Sequence, residues 1–194
     1  IEKLPYVIEG LLGLEDRYNA DPSDDPLEQG RAPFSLVIGK VFGGHYETVT
    51  AGEAVLRGGA YFSPVVGDLH DVMGRLGETT VEANERDDFL RAHPARLEFL
   101  HHTDGTQQSP QIPLAVHMGE VLARRGGDPR VGASPFGCDI RHFVNQSGIP
   151  SIIFGPGTIA QAHVPDEHIS IQEYLECIDH LMEFFWSWCN DDAD

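Results

Sequence analysis

The residues of this chain best placed to do chemistry lie between Phe154 and Glu167, which reads Phe-Gly-Pro-Gly-Thr-Ile-Ala-Gln-Ala-His-Val-Pro-Asp-Glu. His163 sits there between a Gly-Pro-Gly turn and Pro165, so no regular ladder uses up the backbone groups around it. A neutral imidazole is a good zinc ligand. Asp166 and Glu167 are candidate acceptors for its second ring nitrogen. The bland alternative is a surface or satisfied core histidine. The spacing from His163 to His168 does not match a two-histidine zinc helix, and Pro165 breaks any common helix face. A zinc site needs three or four ligands, and this stretch offers one.

Two neighbouring motifs carry a similar choice. Asp139 and Arg141, in Gly137-Cys-Asp-Ile-Arg141, open a short predicted helix. They read as a charge that satisfies the helix dipole plus a surface arginine, or as an Arg141 that grips a substrate carboxylate with both arms. Gly155-Pro-Gly157 is a tight turn, or a place where backbone amides approach a substrate oxygen. Gly43-Gly44 reads as a strand break, and His101-His102 as the end of a strand. Cys177 and Cys189 fall on one predicted helix about 18 Å apart, too far to bridge. With Cys138 they read as small buried hydrophobes, reduced in a cytoplasmic protein and without metal-ligand spacing.

The elements that position these residues follow from periodicity. Ile1, Leu4, Val7, Ile8, Leu11 and Leu12 predict an amphipathic helix to about residue 18. Residues 19–33 are loop, rich in Asp, Pro, Ser and Gly. A strand follows over 34–42, with Phe34, Leu36, Ile38 and Lys40 on one face. A second spans 53–62, with Gly58-Gly59 as a bulge. Ser63-Pro64 predicts the start of a helix that buries Val65, Leu69, Val72, Met73 and Leu76. Residues 79–93 read as polar helix and loop. Alternation over 95–101 predicts a third strand. Helix, strand, strand, helix, strand is a ferredoxin-like unit without its first strand.

A polar linker, 103–109, divides this unit (1–103) from a second one (104–194). The second reads as a helix over 110–125 with Ile112, Ala115, Val116, Gly119 and Leu122 inward, then the short helix 139–146. An apolar strand follows over 149–154, of the kind buried on both faces of an α/β sheet. Ser170-Ile-Gln-Glu173 then caps a long helix carrying Ile171, Tyr174, Leu175, Ile178, Leu181, Met182, Phe185 and Trp188. The acidic tail after Asn190 is expected to fray.

Composition sets the outer limits. With 194 residues and 41% hydrophobic side chains, the chain can pack a core. A formal net charge of −18 argues against nucleic acid as a partner, because phosphate binding needs clustered Lys and Arg. No apolar run approaches the roughly 20 residues that span a bilayer. The chain opens on Ile1 inside a helical pattern, and a natural chain that starts further upstream is expected.

Taken together, these motifs resemble the C-terminal half of a family of metal-dependent amidohydrolases. It contains acetylornithine deacetylases, succinyl-diaminopimelate desuccinylases, aminoacylases and carboxypeptidase G. The specific match is Gly137-Cys-Asp-Ile-Arg141, Gly148-Ile-Pro-Ser-Ile-Ile-Phe-Gly-Pro-Gly157 and Ala162-His-Val-Pro-Asp-Glu167. Ile1-Glu-Lys-Leu4, Phe42-Gly-Gly44, Thr48 to Leu56 and Ser63-Pro64 resemble the family's lid domain. The resemblance implies an inserted ferredoxin-like lid, here without its first strand, and the end of an α/β catalytic domain with a two-zinc site; cobalt or manganese are alternatives. It implies that His163 binds one zinc, that Arg141 contacts a substrate carboxylate, and that Gly155 and Gly157 line the pocket with Thr48 near substrate. The remaining ligands and the glutamate general base would lie upstream of Ile1, as would the lid's first strand. That strand would be central in the sheet, and without it two strands expose unpaired backbone groups. The family commonly has Asn at Thr48, Pro at Ala51 and Arg near Tyr61, so the lid departs from its pattern at three positions.

Two readings follow. In the first, the chain is part of a zinc-dependent enzyme that hydrolyses an N-acyl amino acid or small peptide, a homodimer through its lid, and inactive as these 194 residues alone. In the second, it is a non-catalytic dimerisation or binding module.

Overall fold

The computed structural model describes residues 1–20, 31–134 and 136–190. The tail 191–194 and most of the loop 19–33 lie outside the described residues. The chain divides into two compact units, 1–105 and 106–194.

The first unit packs helices on one face of a two-stranded sheet. Helix α1 (Leu4–Asn19) carries Pro5 in its first turn, where a missing N–H costs nothing. Strands β1 (Phe34–Gly43) and β2 (Ala54–Phe62) are antiparallel, from Phe34 opposite Phe62 to Gly43 opposite Ala54. Phe34 is fully buried with Leu14, Val72 and Leu76, and its ring stacks on Tyr18 at 4.7 Å. Asn19 fixes the same residue: its Nδ2 donates to Phe34 O (2.8 Å) and its Oδ1 accepts from Phe34 N–H (3.1 Å). The expected alternation holds for Phe34, Leu36 and Ile38 against exposed Ser35 and Val37, and ends before Lys40, which is exposed past the register shift.

The bulge exists, but its extra residue is on the other strand. Ile38 pairs with Gly58 and Lys40 with Arg57, which leaves Gly39 unpaired. Gly58 is the residue that permits the close approach, since a Cβ there would lie 2.0 Å from the Val37 carbonyl oxygen.

The helix expected from Ser63-Pro64 starts later. Ser63 caps only a 3-10 turn, Pro64–Val66, and α2 runs Leu69–Asn84. Asp68 is its cap, with Asp68 Oδ1 accepting from Asp71 N–H (2.9 Å) and Asp71 Oδ2 from Asp68 N–H (3.3 Å). This reciprocal pair is a stronger start signal than Ser-Pro. Helix α3 (Asp88–Ala92) follows, and Lys3 reaches back from the chain start to Asp87 at 2.7 Å.

The third strand expected at 95–101 does not form. Alternation states which face a strand would bury and says nothing of whether an edge lies beside it. Here the side chain of Asn84, buried on α2, takes both backbone groups of Ala95, at 3.1 and 2.9 Å.

The second unit pairs α4 (Pro113–Arg124) with α5 (Ile171–Asn190) around Met118, Val121 and Phe184. On α4, Ala115 is buried and Leu122 packs on the core as expected, joined by Met118 and Val121, whereas Val116 is exposed. His117 Nε2 meets Ser187 Oγ at 2.7 Å between the helices, and Glu183 receives Arg124 Nε (2.9 Å) and Arg125 Nε (2.5 Å). The strand expected at 149–154 is also absent. Ile152 and Phe154 still pack on the core, but the ladder partner of Ser151 is a side chain: Gln108 gives and takes one hydrogen bond, at 2.7 and 3.1 Å.

The apolar residues that α5 carries are divided between its faces, with Leu181 packed on the core. Ile171, Leu175, Met182 and Phe185 face outward, while Cys177 and Phe184 on the opposite face are buried. A helix apolar on two sides is a helix made for burial on two sides. The observed architecture is mixed α/β with one two-stranded antiparallel sheet among the described residues.

Candidate functional site

His163 lies on an irregular loop in the second unit, two residues after the 3-10 turn Ile159–Gln161. Thr158 starts that turn, its hydroxyl accepting from Ala160 N–H at 3.4 Å. The backbone of His163 has φ +63°, and among the described residues it is the one non-glycine with positive φ. Such a conformation is costly for a residue with a Cβ and persists only when its surroundings hold it. Glu167 does so: its Oε2 accepts the His163 N–H at 3.2 Å. The His163 side chain is exposed.

The Gly-Pro-Gly turn precedes it. Gly157 has φ +85°, so glycine is required there by conformation, whereas a Cβ on Gly155 would meet nothing within 4 Å. Gly155 is thus free for an approach that its own unit does not use.

Arg141 stands at the head of a π-helical turn, His142–Gln146. Its side chain is only 26% exposed, so it is not the surface arginine of the bland reading. One arm donates to Cys138 O at 2.7 Å and the other lies 3.8 Å from Asp139 Oδ1. Its Nε is sealed from solvent with no hydrogen-bond partner among the described residues. A second sealed atom without a partner, Gln161 Oε1, lies two residues before His163. Gln161 was not singled out by sequence; the one signal for it was its place within the His163 motif.

Arg141, Gly155, Gly157 and His163 all fall in the second unit, and no described hydrogen bond joins Arg141 to the His163 loop. Thr48 falls in the first unit, in the exposed connection between β1 and β2.

Among the described residues, one group of histidine and carboxylates is tight enough to hold an ion: Asp68, His70 and Asp71, exposed at the start of α2, with ligand atoms within 4.8 Å of one another. The capping pair already accounts for the closeness of Asp68 and Asp71. His163 belongs to no such group. Its fit to zinc is that of one ligand: an exposed imidazole on a backbone held in place, with a sealed acceptor two residues away. All three cysteines are unbridged; Cys177 is buried as expected, and Cys189 is exposed.

Residues 6–187 match the peptidase family M20/M25/M40. The N-formyl-4-amino-5-aminomethyl-2-methylpyrimidine deformylase of Bacillus subtilis (strain 168) is 25% identical over 203 residues, covering 98% of this chain and 46% of that protein. The deformylase of the same name from Halalkalibacterium halodurans is 24% identical over 202 residues, with the same coverage. A putative LysW-lysine/LysW-ornithine hydrolase of Thermococcus kodakarensis is 29% identical over 90 residues, 46% of this chain and 26% of its own length. The chain spans about half the length of the two deformylases. With the family match running through both units and across the Arg141 and His163 motifs, this chain belongs to peptidase family M20/M25/M40.

Proposed function

We propose that this chain is the lid and the C-terminal catalytic segment of a metal-dependent hydrolase that cleaves the amide bond of a small N-acyl compound. The observation that carries the reading is His163, exposed and held at positive φ inside a region matched to a hydrolase family. Two relatives named deformylases and one named a hydrolase support amide cleavage on a small molecule. An N-acyl amino acid or small peptide remains the favoured substrate, because a half-buried Arg141 with an unpaired Nε suits a carboxylate. A formylated amine is the variant that the relatives' names suggest.

In this reading His163 supplies one ligand to zinc, with cobalt or manganese as alternatives. A bound zinc supplies Lewis acidity and makes water a nucleophile near neutral pH. This chain's own residues bind and orient: Glu167 holds the His163 backbone, Arg141 grips the carboxylate, and the Gly155 amide is open to a substrate oxygen. The general base and the other ligands belong to sequence beyond these 194 residues, so the isolated chain turns over no amide. Residues 1–103 act as the ferredoxin-like lid, with Thr48 near substrate. Among the described residues, each of the two strands has an edge without a ladder partner, which supports pairing with another strand and a homodimer through the lid. Three unbridged thiols support a cytoplasmic setting. No helix among the described residues is long and apolar enough to cross a membrane.

The test is hydrolysis of a panel of N-formyl, N-acetyl and N-succinyl amino acids by the full-length protein, with and without a chelator. Turnover lost on chelation and regained with zinc is expected. Turnover by the 194-residue chain alone, insensitive to chelator, contradicts the reading.

A further inference from the structure

The His163 loop holds two features that cost free energy and have no use in its own packing. One is the φ of +63° at His163. The other is Gln161 Oε1, sealed from solvent and unpaired among the described residues. A buried acceptor without a donor destabilises the fold, because its hydration is lost and not replaced. The two lie within three residues of one another, on either side of an extended Ala162.

A histidine that binds a metal through one ring nitrogen donates the N–H of the other to an acceptor, which fixes the tautomer and the ring plane. The sequence offered Asp166 and Glu167 for this. Glu167 is engaged with the His163 backbone, at 3.2 Å. The carbonyl of Asp166 accepts from His168 Nδ1 at 2.7 Å, and its carboxylate lies on an exposed residue. Gln161 Oε1 is the side-chain acceptor of this loop that is sealed from solvent without a partner among the described residues, so it gains most from a donor.

We propose that Gln161 is the positioning residue for His163: its Oε1 accepts the imidazole N–H that remains when the other ring nitrogen of His163 binds zinc. The inference rests on the reading of His163 as a ligand. It makes Gln161 a residue that acts through another and touches neither substrate nor metal.

The experiment measures the zinc affinity of the full-length protein by competition with a chromophoric chelator, for wild type, Gln161→Leu, Gln161→Glu and His163→Ala. Gln161→Leu is expected to weaken zinc binding about 10- to 100-fold, and Gln161→Glu, which restores an acceptor, to recover it. Metal-free Gln161→Leu is expected to unfold at the wild-type temperature or above, because the substitution removes an unsatisfied acceptor. If Gln161→Leu does not fold, Gln161→Met, closer in volume, is read in the same way. Unchanged affinity in Gln161→Leu with loss in His163→Ala overturns the role of Gln161 and leaves His163 as a ligand. Unchanged affinity in His163→Ala as well overturns the zinc reading itself.

Discussion

The two units of this chain satisfy their residues to different degrees. In the first, side chains close around Phe34, Asn19 and Asn84 clasp extended backbone, and α2 carries a reciprocal cap. In the second, a small core between α4 and α5 supports a long loop region, α5 shows an apolar stripe to solvent, and two polar atoms are sealed without partners among the described residues. The contrast separates residues that hold the fold from residues held for another purpose. Substitutions in the first unit should be read in stability, and those in the Arg141 and His163 loops in binding.

The largest expected effect is that of Phe34→Ala, which empties a fully buried ring site and removes the stack on Tyr18. A loss of about 3–5 kcal/mol is expected in urea unfolding of the first unit. A loss under 1 kcal/mol would mean that Phe34 does not anchor that core. Next is Gly58→Ala, whose methyl would strike the Val37 carbonyl oxygen at the bulge. Amide hydrogen exchange should show the pairing around Ile38 and Lys40 opened; protection at wild-type level would contradict the register.

A smaller effect concerns pH. Arg125, and then Arg124, hold the Glu183 carboxylate below its usual range, and Lys3 does the same for Asp87. A depressed carboxylate stabilises the fold above its unfolded pKa, about 4, and that contribution is lost as pH falls through the lower folded value. Glu183→Gln should therefore flatten the acid limb of a thermal melt below about pH 4.5, and added salt should do likewise, because the pair is screened. An acid limb unchanged in Glu183→Gln would remove this tie between α4 and α5.

The smallest expected effect is on α5, where Met182→Glu replaces an exposed side chain. Stability of the 194-residue chain should change by no more than about 0.5 kcal/mol. A large loss would show that the stripe is already covered.

Periodicity located α1, β1, β2, α2, α4 and α5, because each has a face that the pattern names. It failed at 95–101 and 149–154 for a shared reason. Whether an alternating or apolar segment becomes a strand depends on a neighbour, and in both places a side-chain amide, Asn84 or Gln108, takes the neighbour's place. The bulge was legible as a glycine signal, but which strand carries the extra residue is a property of register, which sequence does not state. The site was legible as a motif around His163. Its strained backbone, the hold of Glu167 and the sealed Gln161 acceptor needed coordinates, since each depends on a loop path that no periodicity encodes.

The central claim is that His163 is held at positive φ in order to bind metal. Zinc per chain, measured by atomic emission on the full-length protein and its His163→Ala variant, tests it most directly. The account predicts that the variant retains less zinc than wild type while its metal-free form unfolds at the wild-type temperature. Equal zinc in the two proteins would contradict it.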